Sequence, residues 1–460
     1  MRNNIVILSL FLFFSLFFIY SFVPIYEKEE ENFRNLLIEG NKYWHDGMSP
    51  VMFAYFNNYL KNRNFGLIKN TTIDEYKRMN ISQSVDVICI ESLCYPTFYN
   101  FGLHIFFEFS FWLNKIFQIN PFQYLLIFNI TMYALSALIL FLILNNINKN
   151  KILLNFLLTL LVGVGTSFII YSKYLFLHNS FQAFTFTLFL YSFLLFDKKK
   201  TNLRFIFFLL SSILFIIFWQ ALPAIIITLF LISWFLFLNR KERRKSILLI
   251  YTLILFLLAL LELDVFVRYL SILSEAEKTL TKETNLFYNL YNETLFAVDF
   301  KPLSLAYSTA SNFLGNAIFL KIYPLFGFFF GPKGIFVNSP FLLFSFFGTV
   351  FPRKEMKLKL FLLLAFLVLF TSYLHTDYEG GFTPRYVRHA EPIIVILTIF
   401  LANYIANLKK KKILLIFAFL ALISTTNSIA RGYSCLLSLC FTNSCISCFK
   451  VSLGSCLTFI

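Results

Sequence analysis

The run FQYLLIFNITMYALSALILFLIL, Phe122 to Leu144, contains no charged residue and continues for the length of a bilayer crossing. A hydrocarbon core of about 30 Å takes about 20 apolar residues of helix to cross. Comparable runs recur from about Asn4 to about Ala430, with short polar breaks between them. Of the 460 residues, 58% are hydrophobic, 64 are Phe and 14% are charged. Soluble domains carry charge on about a quarter of their residues. The chain therefore reads as an all-α, multi-pass membrane protein with no soluble domain left over.

The formal charge of +16 does not point to nucleic acid, because the basic residues sit in short breaks between apolar runs. Lys149 and Lys151, Lys198 to Lys200 with Arg204, Arg240 to Lys245, Arg353 to Lys359, and Lys409 to Lys412 mark every second break. Cytoplasmic loops are the Lys/Arg-rich ones, so the alternation sets the topology. The first run, Asn4 to Val23, is longer than a signal-peptide core and lacks a small-residue cleavage site. It reads as a retained first helix with the N-terminus cytoplasmic.

Residues 24–120 then form the first outer loop, with two interfacial helices expected, near Met52 to Leu60 and near Phe98 to Phe117. Later crossings are expected at Phe122 to Leu144, Ile152 to Tyr171 and Phe181 to Phe196, with a helical hairpin over Phe205 to Leu238. Ile247 to Tyr269, a span ending at Phe351, Leu360 to Tyr373, Pro392 to Leu408 and Ile413 to Ala430 complete about eleven transmembrane helices. Residues 1–430 make this polytopic domain, and 431–460 form a Cys-rich outer tail. The tail's Cys445-x-x-Cys448 has metal-like spacing but no second pair, so disulfides or an idle tail remain open. Cys89 and Cys94 are spaced to close a small disulfide loop, and three N-x-S/T triplets, at Asn70, Asn80 and Asn292, fall in outer loops.

No Gly-rich phosphate loop, H-E-x-x-H or G-x-S-x-G is present. Chemistry on the outer face then needs a lipid-carried donor rather than a cytoplasmic nucleotide sugar. Asp46 lies in Trp44-His45-Asp46-Gly47, just past the first helix. It is the candidate base for an acceptor hydroxyl, with His45 beside it. Arg385, Arg388 and His389 are one helical turn apart and are candidates to hold a departing phosphate. Gly380 and Gly381 permit close backbone approach, and Lys333, in Gly331-Pro332-Lys333-Gly334, is a further phosphate candidate. Glu39 and Glu379 could join Asp46 around a divalent cation, although no spacing demands it.

Four stretches, in order, resemble the GT-C superfamily of polyprenyl-phosphate-sugar-dependent membrane glycosyltransferases, which includes protein mannosyltransferases and aminoarabinose transferases. They are His45-Asp46-Gly47 with Met52 to Tyr55, Tyr95-Pro96-Thr97-Phe98-Tyr99-Asn100, Phe330 to Pro340, and Gly380-Gly381-Phe382-Thr383-Pro384-Arg385-Tyr386. Thr383 stands where that pattern usually has Gly, and a single Asp replaces the commoner acidic pair. The resemblance implies a GT-C-like fold, Asp46 as the catalytic acidic residue and Arg385 at the donor phosphate. The substrates would be a polyprenyl-phosphate sugar and a lipid, glycan or protein acceptor. Two other readings stay open: a transporter or flippase of a lipid-linked saccharide, and an inactive membrane protein.

Overall fold

The computed structural model describes residues 2–22, 101–118, 121–172, 177–199, 201–218, 334–349, 391–408 and 410–438. It also describes the strand pieces 67–68, 87–90 and 93–96 and residues 56, 59–61, 63, 329–330, 362–363 and 365. In chain order the first helices are α1 (Arg2–Phe22), α2 (Phe101–Phe117), α3 (Pro121–Ile147), α4 (Ile152–Gly165) and, after the short α5 (Ser167–Tyr171), α6 (Leu177–Lys198). Next come α7 (Asn202–Phe218), the short α8 (Ile335–Asn338), a 3-10 segment (Pro340–Thr349), α9 (Glu391–Asn407) and α10 (Lys411–Ser438). Four of these, α1, α3, α6 and α10, are long and apolar enough to cross a membrane. Shorter apolar helices are α4, α7, α9 and the 3-10 segment. The expected spans at Ile247 to Tyr269 and over the second half of the Phe205 to Leu238 hairpin lie outside the described residues.

The surface has the polarity of a membrane protein rather than a soluble one. On α1, Val6, Ile7, Leu10, Phe11, Phe14 and Phe18 are exposed, and on α10 so are Leu414, Leu415, Phe419 and Leu422. Contiguous apolar surface of this kind needs an apolar partner, and along helices of bilayer length that partner is lipid. The interior is aromatic and close-packed. Phe186, Phe189 and Phe215 seat α7 on α6, and Tyr133 meets the Phe168 ring at 5.3 Å.

Helix directions follow from cross-helix contacts. Phe11 stacks on Phe156 and Tyr20 Oη donates to the Gly163 carbonyl at 3.0 Å, so α1 and α4 run parallel. Phe181 packs on Phe128 while Lys198 Nζ donates to Asn146 Oδ1, so α3 and α6 run parallel too. The turns after α3, α6 and α9, carrying Lys149, Lys151, Lys198, Lys199 and Lys410, therefore gather at one end of the bundle. This basic end leaves Tyr20, Gly165 and the start of α9 at the opposite end.

Two expected spans are interrupted. The Ile152 to Tyr171 run breaks at Thr166, whose backbone is extended. Gly163 and Gly165 weaken the helix there. Thr166 Oγ1 donates back to the Val162 carbonyl and accepts from Phe168 N at 3.4 Å, in the manner of a cap for α5. The span expected to end at Phe351 forms α8 and then a 3-10 segment of 10 residues, well beyond the usual three or four. Its tighter winding accompanies a very close approach: a Cβ placed on Gly348 would collide with the carbonyl of Phe400 in α9.

The segment before α2 adds a small antiparallel sheet that the hydropathy pattern did not announce. Its strands, β1 (Leu67–Ile68), β2 (Val87–Ile90) and β3 (Leu93–Pro96), are ordered β1-β3-β2. The helix α2 falls where the second interfacial helix was expected. Residues 56 and 59–61 are helical, where the first was expected. Phe106, Phe107 and Phe111 bury one face of α2 against Phe56 and Tyr59, while Ile105, Phe109, Trp112 and Ile116 are exposed on the other.

Replacing Gly348 by Val should force the 3-10 segment away from α9. Overpacking of this kind costs about 1–3 kcal/mol, so the purified variant should unfold at lower temperature than the parent. An unchanged melting temperature would show that the backbones are not in close contact.

Candidate functional site

The residues singled out in the sequence, Asp46 and His45, Lys333, Glu379, Gly380 and Gly381, Arg385, Arg388 and His389, lie outside the described residues, as does Glu39. His178 falls in the first turn of α6. The elements that flank these segments are described. α1 ends at Phe22, ahead of the stretch that carries Asp46. Gly334 caps α8 directly after Lys333, and α9 begins at Glu391, two residues after His389. Each of these three element ends lies away from the basic turns.

At the level of these ends, near the middle of α3, the bundle buries polar groups. Glu391 is fully buried, and the Tyr133 hydroxyl donates to its Oε1 at 3.3 Å. Among the described residues Glu391 Oε2 has no hydrogen-bond partner. Beside Tyr133 lies the Thr166 break, where the Ser339 hydroxyl donates to the Gly165 carbonyl at 2.7 Å. Buried Asn338 donates to the Gly334 carbonyl, and Asn427 of α10 donates to the Val337 carbonyl. Asn179, also buried, near the start of α6, has no partner for either its Nδ2 or its Oδ1 among the described residues. Tyr133 stands 14 residues from the α3 end, Ile147. At 1.5 Å per residue the layer is about 21 Å above the basic end.

An unpaired buried carboxyl oxygen is costly. Ionisable groups within apolar helices are rare and mark functional positions. A structural role accounts for part of the arrangement, because an acid in the first turn of a helix meets the positive end of its dipole. What the dipole does not explain is full burial with one oxygen unmatched. Chemically, the Tyr133 hydroxyl and the Glu391 carboxyl form a buried polar pair whose second carboxyl oxygen is unmatched among the described residues.

A second polar constellation fastens α2 to the helical residues 59–61. Arg63 makes a two-pronged ion pair with Glu108 of α2, at 3.0 Å and 3.1 Å, and the Tyr59 hydroxyl donates to the same carboxylate. The carboxylate holds the Arg63 guanidinium above its ordinary pKa. Desolvation, followed by the Glu108 carboxylate, pushes the Tyr59 hydroxyl up. Arg63 and Lys115 both lie over the Phe111 and Trp112 rings, Lys115 at 4.8 Å from each centroid.

Sequence reading passed over Glu391 and Tyr133. The expected span began at Pro392, which left the acid just outside, and Tyr133 looked like one more aromatic in an apolar run. The available signal was an acid joined to a long apolar run without an intervening polar residue. Among the described residues no three His, Cys, Asp or Glu side chains gather as a metal site. No protein-family model matches the chain, and no curated protein matches it.

Removing one partner from the buried pair should be worse than removing both. Tyr133→Phe is expected to lower unfolding stability by about 1–3 kcal/mol. The double variant Tyr133→Phe/Glu391→Met should recover most of that loss in thermal unfolding of the purified protein. Equal losses in the single and double variants would mean that the two side chains are not coupled.

Proposed function

We propose that the chain is a GT-C-like membrane glycosyltransferase acting at the outer face of a cell membrane. It transfers a sugar from a polyprenyl-phosphate donor to a lipid, glycan or protein acceptor. Asp46 takes the proton of the acceptor hydroxyl as its oxygen bonds to the anomeric carbon. The bond from that carbon to the phosphate oxygen breaks, and Arg385, with Arg388 and Lys333, stabilises the charge left on the polyprenyl phosphate. His45, Gly380, Gly381, His389 and Glu379 shape the surroundings. The basic end faces the cytoplasm by the positive-inside rule, which gives a multi-pass topology with the N-terminus inside.

The observation that supports this reading is convergence. The described elements leading into or out of the three motif-bearing segments, at Phe22, Gly334 and Glu391, all end away from the basic turns. Exposed Ile105, Phe109, Trp112 and Ile116 of α2 suit a helix lying in the membrane interface, the entry level for a lipid-borne donor.

A second reading, a transporter of a lipid-linked saccharide, draws on the helix interruption at Thr166, since transporters build binding sites from broken helices. Here the freed Gly165 carbonyl is satisfied by Ser339, which makes the break a packed joint rather than an open cation or substrate site.

With membranes containing the full chain and a labelled polyprenyl-phosphate hexose, Asp46→Asn and Arg385→Ala should each slow release of polyprenyl phosphate by about a hundredfold or more. Normal turnover in a folded Asp46→Asn protein would remove Asp46 from the mechanism. Movement of intact donor across sealed vesicles, without release of polyprenyl phosphate, would favour the transporter.

A further inference from the structure

We propose that Cys89 and Cys94 are joined by a disulfide that staples the β2–β3 hairpin in the segment between α1 and α2. The carrying observation is strand register. β2 and β3 pair antiparallel with Val87 opposite Pro96, Ile88 opposite Tyr95, Cys89 opposite Cys94 and Ile90 opposite Leu93. Directly opposite residues of an antiparallel pair share a face of the sheet, with Cα atoms about 4.5–5.5 Å apart. Disulfides bridge Cα separations of about 4.4–6.8 Å, so the position fits whether or not this pair is a hydrogen-bonded one. A register shifted by one residue would set Cys89 opposite Leu93 or Tyr95 and abolish the juxtaposition.

The placement is selective. Of the chain's 7 Cys, only these two precede Cys435, and both occupy one cross-strand position. Cys94 also lies in the central strand, where it pairs with Leu67 of β1. Short hairpins are marginal by themselves, and strands of two and four residues have little ladder to hold register. A covalent link at this position fixes the pairing of β2 with β3 and thereby the edge on which β1 docks.

The bond forms by thiol–disulfide exchange. The thiolate of one Cys attacks the disulfide of an oxidant of the protein-thiol-oxidase class, giving a mixed disulfide and one oxidant thiol. The second Cys then displaces the other oxidant thiol. Two thiols are oxidised, the oxidant's disulfide is reduced to a dithiol, and two protons pass from the cysteines to it. Persistence of the bond rests on the proposed outer-face placement of this segment, because such bonds survive outside the cytoplasm.

The test uses the full chain, alkylated without reductant and then cleaved after glutamate. Cleavage at Glu91 separates a Cys89 peptide from a Cys94 peptide. The expected result is one linked species that separates only on reduction. Two separate alkylated peptides before reduction, or Cys89 linked to a tail cysteine, would overturn the proposal. A variant with Cys435, Cys440, Cys445, Cys448 and Cys456 all replaced by Ser should take up no maleimide before reduction and two after. Adding Cys94→Ser to it should expose one thiol without reduction. A membrane-impermeant maleimide applied, after mild reduction, to intact cells carrying the variant with the five tail cysteines replaced reports sidedness separately. Label without prior reduction refutes the disulfide and leaves the outer placement standing, whereas a linked peptide with no outside label refutes the placement alone.

Discussion

Hydrocarbon offers a peptide backbone no hydrogen bonds, so every departure from continuous helix must be repaired by the protein itself. Two irregular stretches among the described residues obey that constraint. At Thr166 the helix opens, and the hydroxyls of Thr166 and Ser339 take up the backbone groups it releases. At Gly334 to Asn338 a single turn is tied down by the Asn338 side chain and by Asn427 of α10. Each repair draws on an element distant in sequence, so α4, α8, the 3-10 segment and α10 hold one another in place at the end of the bundle away from the basic turns.

Toward that end the bundle buries a carboxyl group with one oxygen unmatched among the described residues. Glu391 and Tyr133, joined at 3.3 Å across α9 and α3, sit among Phe, Ile and Leu side chains. The tight seam of Gly348 against Phe400 fixes the height of α9 relative to the 3-10 segment. It therefore sets the level at which Glu391 is buried. Packing of Gly348 against Phe400 thus positions the buried Glu391 carboxyl.

The helix α2 is held by a different kind of force. Aromatic stacking of Phe56, Phe106 and Tyr124 supplies the contact area. The ion pair of Arg63 with Glu108 is partly solvent-exposed, and exposed pairs contribute little net stability. Its value lies in orientation: a planar, two-pronged contact sets the rotation of α2 and so which of its faces stays exposed.

Hydropathy along the chain was enough to place most described helices within a few residues, because a run of bilayer length with no charge has few alternatives to a helix. Charge alternation likewise anticipated that Lys149, Lys198 and Lys410 would share one end. The breaks were not legible in the same way. Thr166 and the 3-10 segment depend on the neighbours that Gly165, Ser339, Gly348 and Phe400 meet, and hydropathy carries no information about those partners. The hairpin register and the burial of Glu391 belong to the same class. What a residue's own chemistry determines, apolar length and the side of the charges, could be read from the order of amino acids. What depends on which distant residue stands opposite, the repaired breaks, the paired carboxyl and the facing cysteines, was decided only by the folded arrangement.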